Sequence, residues 1–359
     1  MKVMIITNSG IGLYKFRKEL IEALMRENEV YICMPQGDFS SELCALGARL
    51  LPCSLLSRHG INPVREIGLF LYYKHALKRE KPDIVFTYTI KPNVYGGMAC
   101  ACIGIPYVAN ITGLGTAIEN HGIVQRIALL LYKCGLIKAK KVFFQNKDNQ
   151  DYMISRGIVR GEYDLLPGSG VNLSAYTVSE YPSAGSTDFV FVARIVKEKG
   201  IDLYLDAARI IRKRYPHTRF HVCGLCEQAY ESILEKYSRE GTIIYHGDVR
   251  NMTMIYRQMN CVVHPSYYPE GLSNVLLEAA ASGRPIITTN RSGCREVVDN
   301  GINGFLVKER SVEDLVDKIE LFLRLTHEEQ KQMGLAGRKK VEKEFDRQLV
   351  VNKYLAELK

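Results

Sequence analysis

The chain has 359 residues, past the size at which a single hydrophobic core usually keeps growing, so two domains are expected. Hydrophobic residues make up 47% and charged residues 24%, ordinary for a globular fold, and no run reaches the roughly 18 apolar residues of a membrane span. The net charge of +9 is uneven: residues 1–178 hold 21 Lys and Arg against 14 Asp and Glu, the remainder 27 against 25, so the first half calls for an anionic partner, whether membrane, polyanionic substrate or nucleic acid.

In chain order, Met1–Thr7 reads as a strand that runs into a Gly-containing turn, too short for a signal peptide. Short apolar runs bounded by Gly, Pro, Asn or Asp predict strands over 2–8, 29–35, 48–53, 83–88, 106–111 and 140–146. Amphipathic helices are predicted between them over 13–26, 65–81, 93–103 and 124–139. The polar segment from Ser174 breaks this period and reads as a linker over 174–187. The alternation then restarts, with strands over 189–193, 219–224, 242–246, 261–266, 285–290 and 304–307. Helices are predicted over 201–214, 228–239, 274–282, 312–325 and 328–345. Apolar runs without strict alternation fit parallel sheets covered on both faces. The expected fold is α/β: two facing Rossmann-like doubly wound domains, 1–173 and 188–345, with a deep cleft between them. Residues 346–359 form a C-terminal helix that could pack back on the first domain. Ligands of such sheets bind outside the carboxyl ends of the strands.

Ten cysteines are scattered, and Cys223-Gly-Leu-Cys226 has neither a second pair nor a His-x₃-His, so zinc is not expected and free thiols in a reducing cytosol are. Glu270-Gly-Leu-Ser-Asn-Val-Leu-Leu-Glu278 follows the apolar run that starts at Cys261. It sets one carboxylate in a loop and a second about one turn into a helix whose start suits an anion. Hydroxyl acceptors on both sides of an anion site describe a sugar nucleotide; a surface helix with solvated acids is the plain alternative. Arg194 and Lys199 stand at the carboxyl end of the strand over 189–193, close to a helix start, where two cations can clamp a diphosphate. Ser9-Gly10-Ile-Gly12 opens the first helix, and its glycines allow close approach of a phosphate. Lys15 stands where a third glycine would complete a dinucleotide fingerprint, and no Gly-x₄-Gly-Lys-Ser/Thr is present, so neither a nicotinamide site nor a P-loop is supported. No nucleic-acid-binding module is recognisable.

These residues together resemble the retaining glycosyltransferases of family 4, which have the two-domain GT-B fold. The resemblance spans the chain and is strongest over 188–308, through Glu270-x₇-Glu278, Arg194-x₄-Lys199, the stretch Gly293–Val307 and the Gly10/Gly12 loop. It implies that Glu270 contacts the donor sugar and Glu278 the ribose hydroxyls. Gly271 and the amides of Leu272, Ser273 and Asn274 would meet the sugar or phosphates, Arg194 and Lys199 the diphosphate, and Gly10 and Gly12 would close on it. It also implies transfer with retention, no cofactor and no bound metal, with a UDP-sugar as donor substrate.

Thr112 stands where many members carry a His, and His121 lies nearby. The run Thr87–Gly97 and the Thr-Gly-Leu-Gly form resemble enzymes that extend undecaprenyl-diphosphate-linked saccharides, with Tyr88, Lys91 and Asn93 on the acceptor side. Helices over 65–81 and 125–141 mix apolar residues with cations, the composition of an interfacial helix, so a cytoplasmic protein held on the anionic inner-membrane surface is expected. A UDP-sugar 2-epimerase on a similar fold and a non-catalytic nucleotide-sugar binder are the alternatives.

Overall fold

The computed structural model of the chain describes residues 1–37, 39–56, 62–119, 122–227 and 230–359, with the side chains of all but 116 and 117. Among the described residues two parallel sheets form, each with helices on both faces. The first has the order β3-β2-β1-β4-β5-β6-β7, with β1 Lys2–Ile6, β2 Glu29–Met34, β3 Arg49–Pro52, β4 Ile84–Tyr88, β5 Tyr107–Ile111, β6 Lys141–Phe144 and β7 Tyr163–Leu165. The second has the order β10-β9-β8-β11-β12-β13, with β8 Thr187–Val192, β9 Thr218–Cys223, β10 Ile244–Tyr245, β11 Cys261–His264, β12 Ile286–Thr289 and β13 Gly304–Val307. In both, the strand order reverses beside the first strand, at β1/β4 and at β8/β11. This is the topological switch point where doubly wound sheets take ligands.

The helices are α1 Gly10–Met25, α2 Ser40–Ala45, α3 Pro63–Glu80, α4 Gly97–Ile103, α5 Thr116–Glu119, α6 Ile123–Leu136 and α7 Lys147–Ser155 in the first part. They continue with α8 Ile201–Arg214, α9 Glu231–Arg239, α10 Met252–Gln258, α11 Asn274–Ala281, α12 Val312–Leu323, α13 His327–Glu344 and α14 Arg347–Ala356. A π-helical turn, Pro92–Gly96, precedes α4 in place of the single helix expected over 93–103. The sequence reading did not include β7, a three-residue edge strand too short to show a period, nor α7, whose first turns are almost wholly polar.

Two compact units result. One comprises Met1–Gly170, Pro269–Leu272 and Arg347–Lys359; the other comprises Val171–Tyr268 and Ser273–Asp346. In the first, Val3 and Ile5 pack on one side of the sheet with Leu20, Leu24 and Tyr354, while Met4 and Ile6 pack on the other with Leu69, Tyr73 and Leu77. That is why these strands read as continuous apolar runs. Helix α14 joins this unit: the Tyr354 ring lies 5.0 Å from Phe86 and 5.1 Å from Phe143, and Arg347 pairs with both Glu19 oxygens at 2.8 and 2.9 Å. The second unit closes over Phe189, Phe191, Tyr204, Val222 and Ile319. The segment expected as a linker over 174–187 is part of that unit. Tyr181 is buried and donates to the Asn260 carbonyl at 2.8 Å, and the buried Arg284 donates to Ser179 and Glu180.

Candidate functional site

At the switch point of the second unit, β8 leads into a turn that ends at Gly200. The φ of Gly200 is +82°, and a Cβ there would lie 2.2 Å from the Pro265 carbonyl oxygen, so only glycine lets this turn approach the end of β11. The Tyr267 amide donates to the Glu198 carbonyl at 2.9 Å and ties the two segments together. This seats Arg194 and Lys199 on one ring: the guanidinium lies 5.8 Å and the ammonium 5.0 Å from the Tyr268 centroid. Arg194 also donates to Glu227 at 2.5 Å. Burial pulls the Arg194 pKa down, but the Glu227 carboxylate outweighs it and the net direction is up. Two fixed cations beside a π face at the carboxyl ends of β8 and β11 form a ready seat for a diphosphate. Tyr268 and Glu227 were absent from the sequence reading. Tyr268, two residues before Glu270, becomes visible only when two turns meet.

Glu278 lies in the second turn of α11, half-buried, and accepts from the Tyr256 hydroxyl at 3.3 Å. Burial, then the Glu278 charge, pushes the Tyr256 phenol well up, so it stays a donor to that carboxylate. Asn274 opens α11, and Ser273 precedes it. The Ser273 amide is already donated to the Gly293 carbonyl at 2.8 Å, so the phosphate-binding role expected of that amide is taken by the fold itself.

In the first unit, Ser9 caps α1 by accepting from the Gly12 amide at 3.2 Å, and Gly10 is the first residue of the helix. A Cβ at Gly12 would come no closer than 3.7 Å to its neighbours, so the fold does not itself demand glycine there.

The acceptor-side residues are corrected by the structure. Tyr88 is buried, with its ring under the Arg17 guanidinium at 4.8 Å and against Tyr354 at 6.0 Å, so it is core. Asn93 is buried too: it donates to the Asn110 carbonyl at 2.8 Å and accepts from the Thr87 hydroxyl at 2.7 Å. Lys91 is held by the buried Glu66 at 2.6 Å. Asn93 and Lys91 thus pair with buried groups, whereas the buried Tyr88 hydroxyl has no hydrogen-bond partner. The residue that stands out in this run is Thr89, a β-branched side chain held at φ +73° directly after β4, with a buried hydroxyl that has no hydrogen-bond partner. Thr112 lies half-buried just past β5, and His121 falls outside the described residues. Glu270, Gly271 and Leu272 belong to this first unit, where Asn146 holds their backbone.

The two helices expected to be interfacial sort into a packed and an open face. On α3, Leu69 and Tyr73 are buried while Val64, Ile67 and Leu71 are exposed; on α6, Tyr132 and Leu136 are buried while Ile123, Ile127 and Leu130 are exposed. The open residues recur three or four apart, so each set forms one stripe. No described helix is long and apolar enough to cross a membrane.

Comparison with known proteins gives two family matches: residues 3–146 fit the family described as Glycosyl transferase 4-like, and residues 180–340 that described as Glycosyl transferases group 1. The chain is 25% identical over 99% of its length, and 97% of the relative's, to the N,N'-diacetylbacillosaminyl-diphospho-undecaprenol alpha-1,3-N-acetylgalactosaminyltransferase of Campylobacter jejuni. It is 27% identical over 81% of its length, and 82% of the relative's, to the capsular polysaccharide biosynthesis glycosyltransferase CapM of Staphylococcus aureus. Among solved structures, Anabaena HepE in complex with UDP and glucose superposes with a TM-score of 0.81 at 18% identity, covering 100% of this chain and 99% of that one, a likeness of fold.

Proposed function

We propose, from the premise that this chain belongs to the glycosyltransferases, 4-like in its first part and group 1 in its second, that it moves a hexose or N-acetylhexosamine from a UDP-sugar to an undecaprenyl-diphosphate-linked saccharide, with retention at the anomeric carbon. The observation that carries the donor reading is the convergence of Arg194 and Lys199 on Tyr268 at the switch point. When the bond from the sugar's anomeric carbon to the diphosphate oxygen breaks, the oxygen keeps the electron pair. Fixed cations aimed at that growing charge lower the barrier. The acceptor hydroxyl oxygen bonds to the same carbon on the same face, and its proton passes to the departing diphosphate. In this reading Glu270 holds the sugar and Glu278, steadied by Tyr256, the ribose hydroxyls. The cationic pair takes the role that a metal has in other transferases, so activity is expected to persist in EDTA.

The lipid-linked acceptor is supported by the name of the Campylobacter jejuni relative and by the open stripes of α3 and α6. Those stripes, on the basic half of the chain, suit peripheral attachment to an anionic leaflet on the cytoplasmic side of the inner membrane. Liposomes rich in anionic lipid should retain the protein at low salt and release Ile127→Asp and Ile67→Asp variants; equal retention of both would remove this part of the reading.

The deciding experiment is a panel of UDP-sugars offered with undecaprenyl-diphosphate-linked saccharides, with the product read by mass. Absence of both transfer and UDP release for every pair would overturn the proposal. Within it, Glu270→Ala should depress turnover strongly, whereas Glu278→Ala should mainly weaken UDP binding.

A further inference from the structure

The segment that carries Glu270 is anchored in a way the motif does not announce. Pro269–Leu272 lies in sequence between β11 and α11, both of the second unit, yet it is part of the first. It rests on the loops that leave β5, β6 and β7. Gly113, at φ +136°, has room for no Cβ: one would sit 3.0 Å from the Pro269 oxygen and 3.1 Å from the Gly271 nitrogen. A Cβ on Gly271 would in turn meet the Gln145 side-chain oxygen at 2.5 Å and the Thr112 carbonyl at 2.6 Å. Leu272 packs against Gly168. Backbone thus meets backbone at Pro269 and Gly271, and the Leu272 side chain closes on the Gly168 backbone.

Asn146 pins it. The side chain is buried and does two jobs with its two ends. Its oxygen accepts from the Asn149 amide at 2.8 Å and caps α7. Its nitrogen donates to the Gly271 carbonyl at 2.5 Å and to the Glu270 carbonyl at 3.1 Å, and the Asn149 side-chain nitrogen (Nδ2) adds a bond to the Glu270 carbonyl at 3.4 Å. A helix cap needs only an acceptor, which Ser, Thr or Asp supplies as well. The donor end is the part that Asn adds.

We infer that Asn146 is a positioning residue for the transfer reaction: by clamping the carbonyls of Glu270 and Gly271 to the end of β6, it fixes the carboxylate of Glu270 against the reacting sugar. The inference rests on the proposed function in one respect, that Glu270 contacts the donor sugar. Groups that act by orientation tolerate little displacement, and a shift near 1 Å costs about a hundredfold in rate.

Asn146→Asp and Asn146→Ser separate the two jobs, since both keep the cap oxygen and lose the amide donor; in the Asp form a second carboxylate oxygen also faces two carbonyls. Turnover per folded molecule in both should fall about a hundredfold, while UDP affinity by calorimetry stays near wild type; the melting temperature should fall in both, and further in the Asp form, because two buried carbonyls lose their donor. In an Glu270→Ala background, Asn146→Asp should add no further loss, because the group it orients is gone. Hydrogen exchange reads the clamp without any transfer assay: the amides of 269–272 should exchange faster in Asn146→Asp, and those of α7 should not. Wild-type turnover in Asn146→Asp, an added loss on top of Glu270→Ala, or unchanged exchange over 269–272 would each overturn the inference. An absence of transfer by the wild-type protein would instead count against the proposed function and leave the exchange experiment to judge the clamp.

Discussion

The carboxyl end of β8 in the second unit and the carboxyl end of β4 in the first each border the switch point of their sheet, and both carry polar residues that stand out in the sequence. They resolve in opposite ways. After β8, Arg194 and Lys199 remain at the surface of the turn and converge on Tyr268. After β4, Lys91 is neutralised by Glu66, and Asn93 closes a buried network from Thr87 to Asn110. The difference lies in the local backbone. A tight Gly200 turn needs no side chain to satisfy it, whereas a π-helical turn wedged over a sheet leaves buried polar groups that must find partners. A polar residue at a strand's end is therefore a ligand contact only when the backbone around it has no claim on it.

Substitutions can break this contrast. The largest effect is expected from Arg194→Ala or Lys199→Ala, each lowering turnover roughly 10²–10³-fold with the melting temperature kept. Lys91→Ala should do the reverse, losing about 3 kcal/mol of stability by stranding Glu66 while leaving turnover per folded molecule intact; a folded Lys91→Ala enzyme with tenfold lower transfer would place a substrate at β4 after all. The amino end of β8 supplies a control at the other end of the strand from the cations. Asp188, near the amino end of β8, is buried, which pushes its pKa up, but hydrogen bonds from His221 and from both ends of the Arg219 fork prevail and hold it at about 2. A folded value below the unfolded one means a stabilisation of about 2 kcal/mol that is complete above roughly pH 4 and lost as pH falls through about 2. Urea unfolding of wild type and Asp188→Asn should differ by that amount at pH 6 and converge near pH 2. Asn93→Ala should cost about 2 kcal/mol in the same assay, by leaving the Thr87 hydroxyl and the Asn110 carbonyl without their partner. Smallest is Thr89→Gly, which relieves the positive φ and should gain about 1 kcal/mol. Transfer should nonetheless fall, since a strained residue with an unspent hydroxyl at a switch point is placed for a substrate; unchanged transfer would show that this strain serves the fold alone.

Much of the architecture was legible because its signals are local. Among the described residues, apolar runs with period and punctuation marked twelve of the thirteen strands, the short edge strand β7 being the exception. The placement of Arg194 and Lys199 at the carboxyl end of β8 was legible for a related reason: both lie where an apolar strand gives way to a turn ending in glycine. The acceptor residues were not legible in this way. Burial of Tyr88, pairing of Lys91 with a residue 25 positions earlier, and the Asn93 network depend on which helices cover the sheet, and no spacing records that.

The sequence by itself determined the two doubly wound sheets and the residue types at the second switch point, since hydrophobic period and turn chemistry act over a few residues. Only the tertiary structure decided where Tyr268 stands against the two cations, that the strap Pro269–Leu272 joins the first unit, and that Asn146 holds the backbone of Glu270. Those contacts join residues far apart in the chain, 125 positions for Asn146 and Gly271, and what fixes them is backbone-to-backbone fit and the satisfaction of buried polar groups, which exist only once the chain has closed on itself.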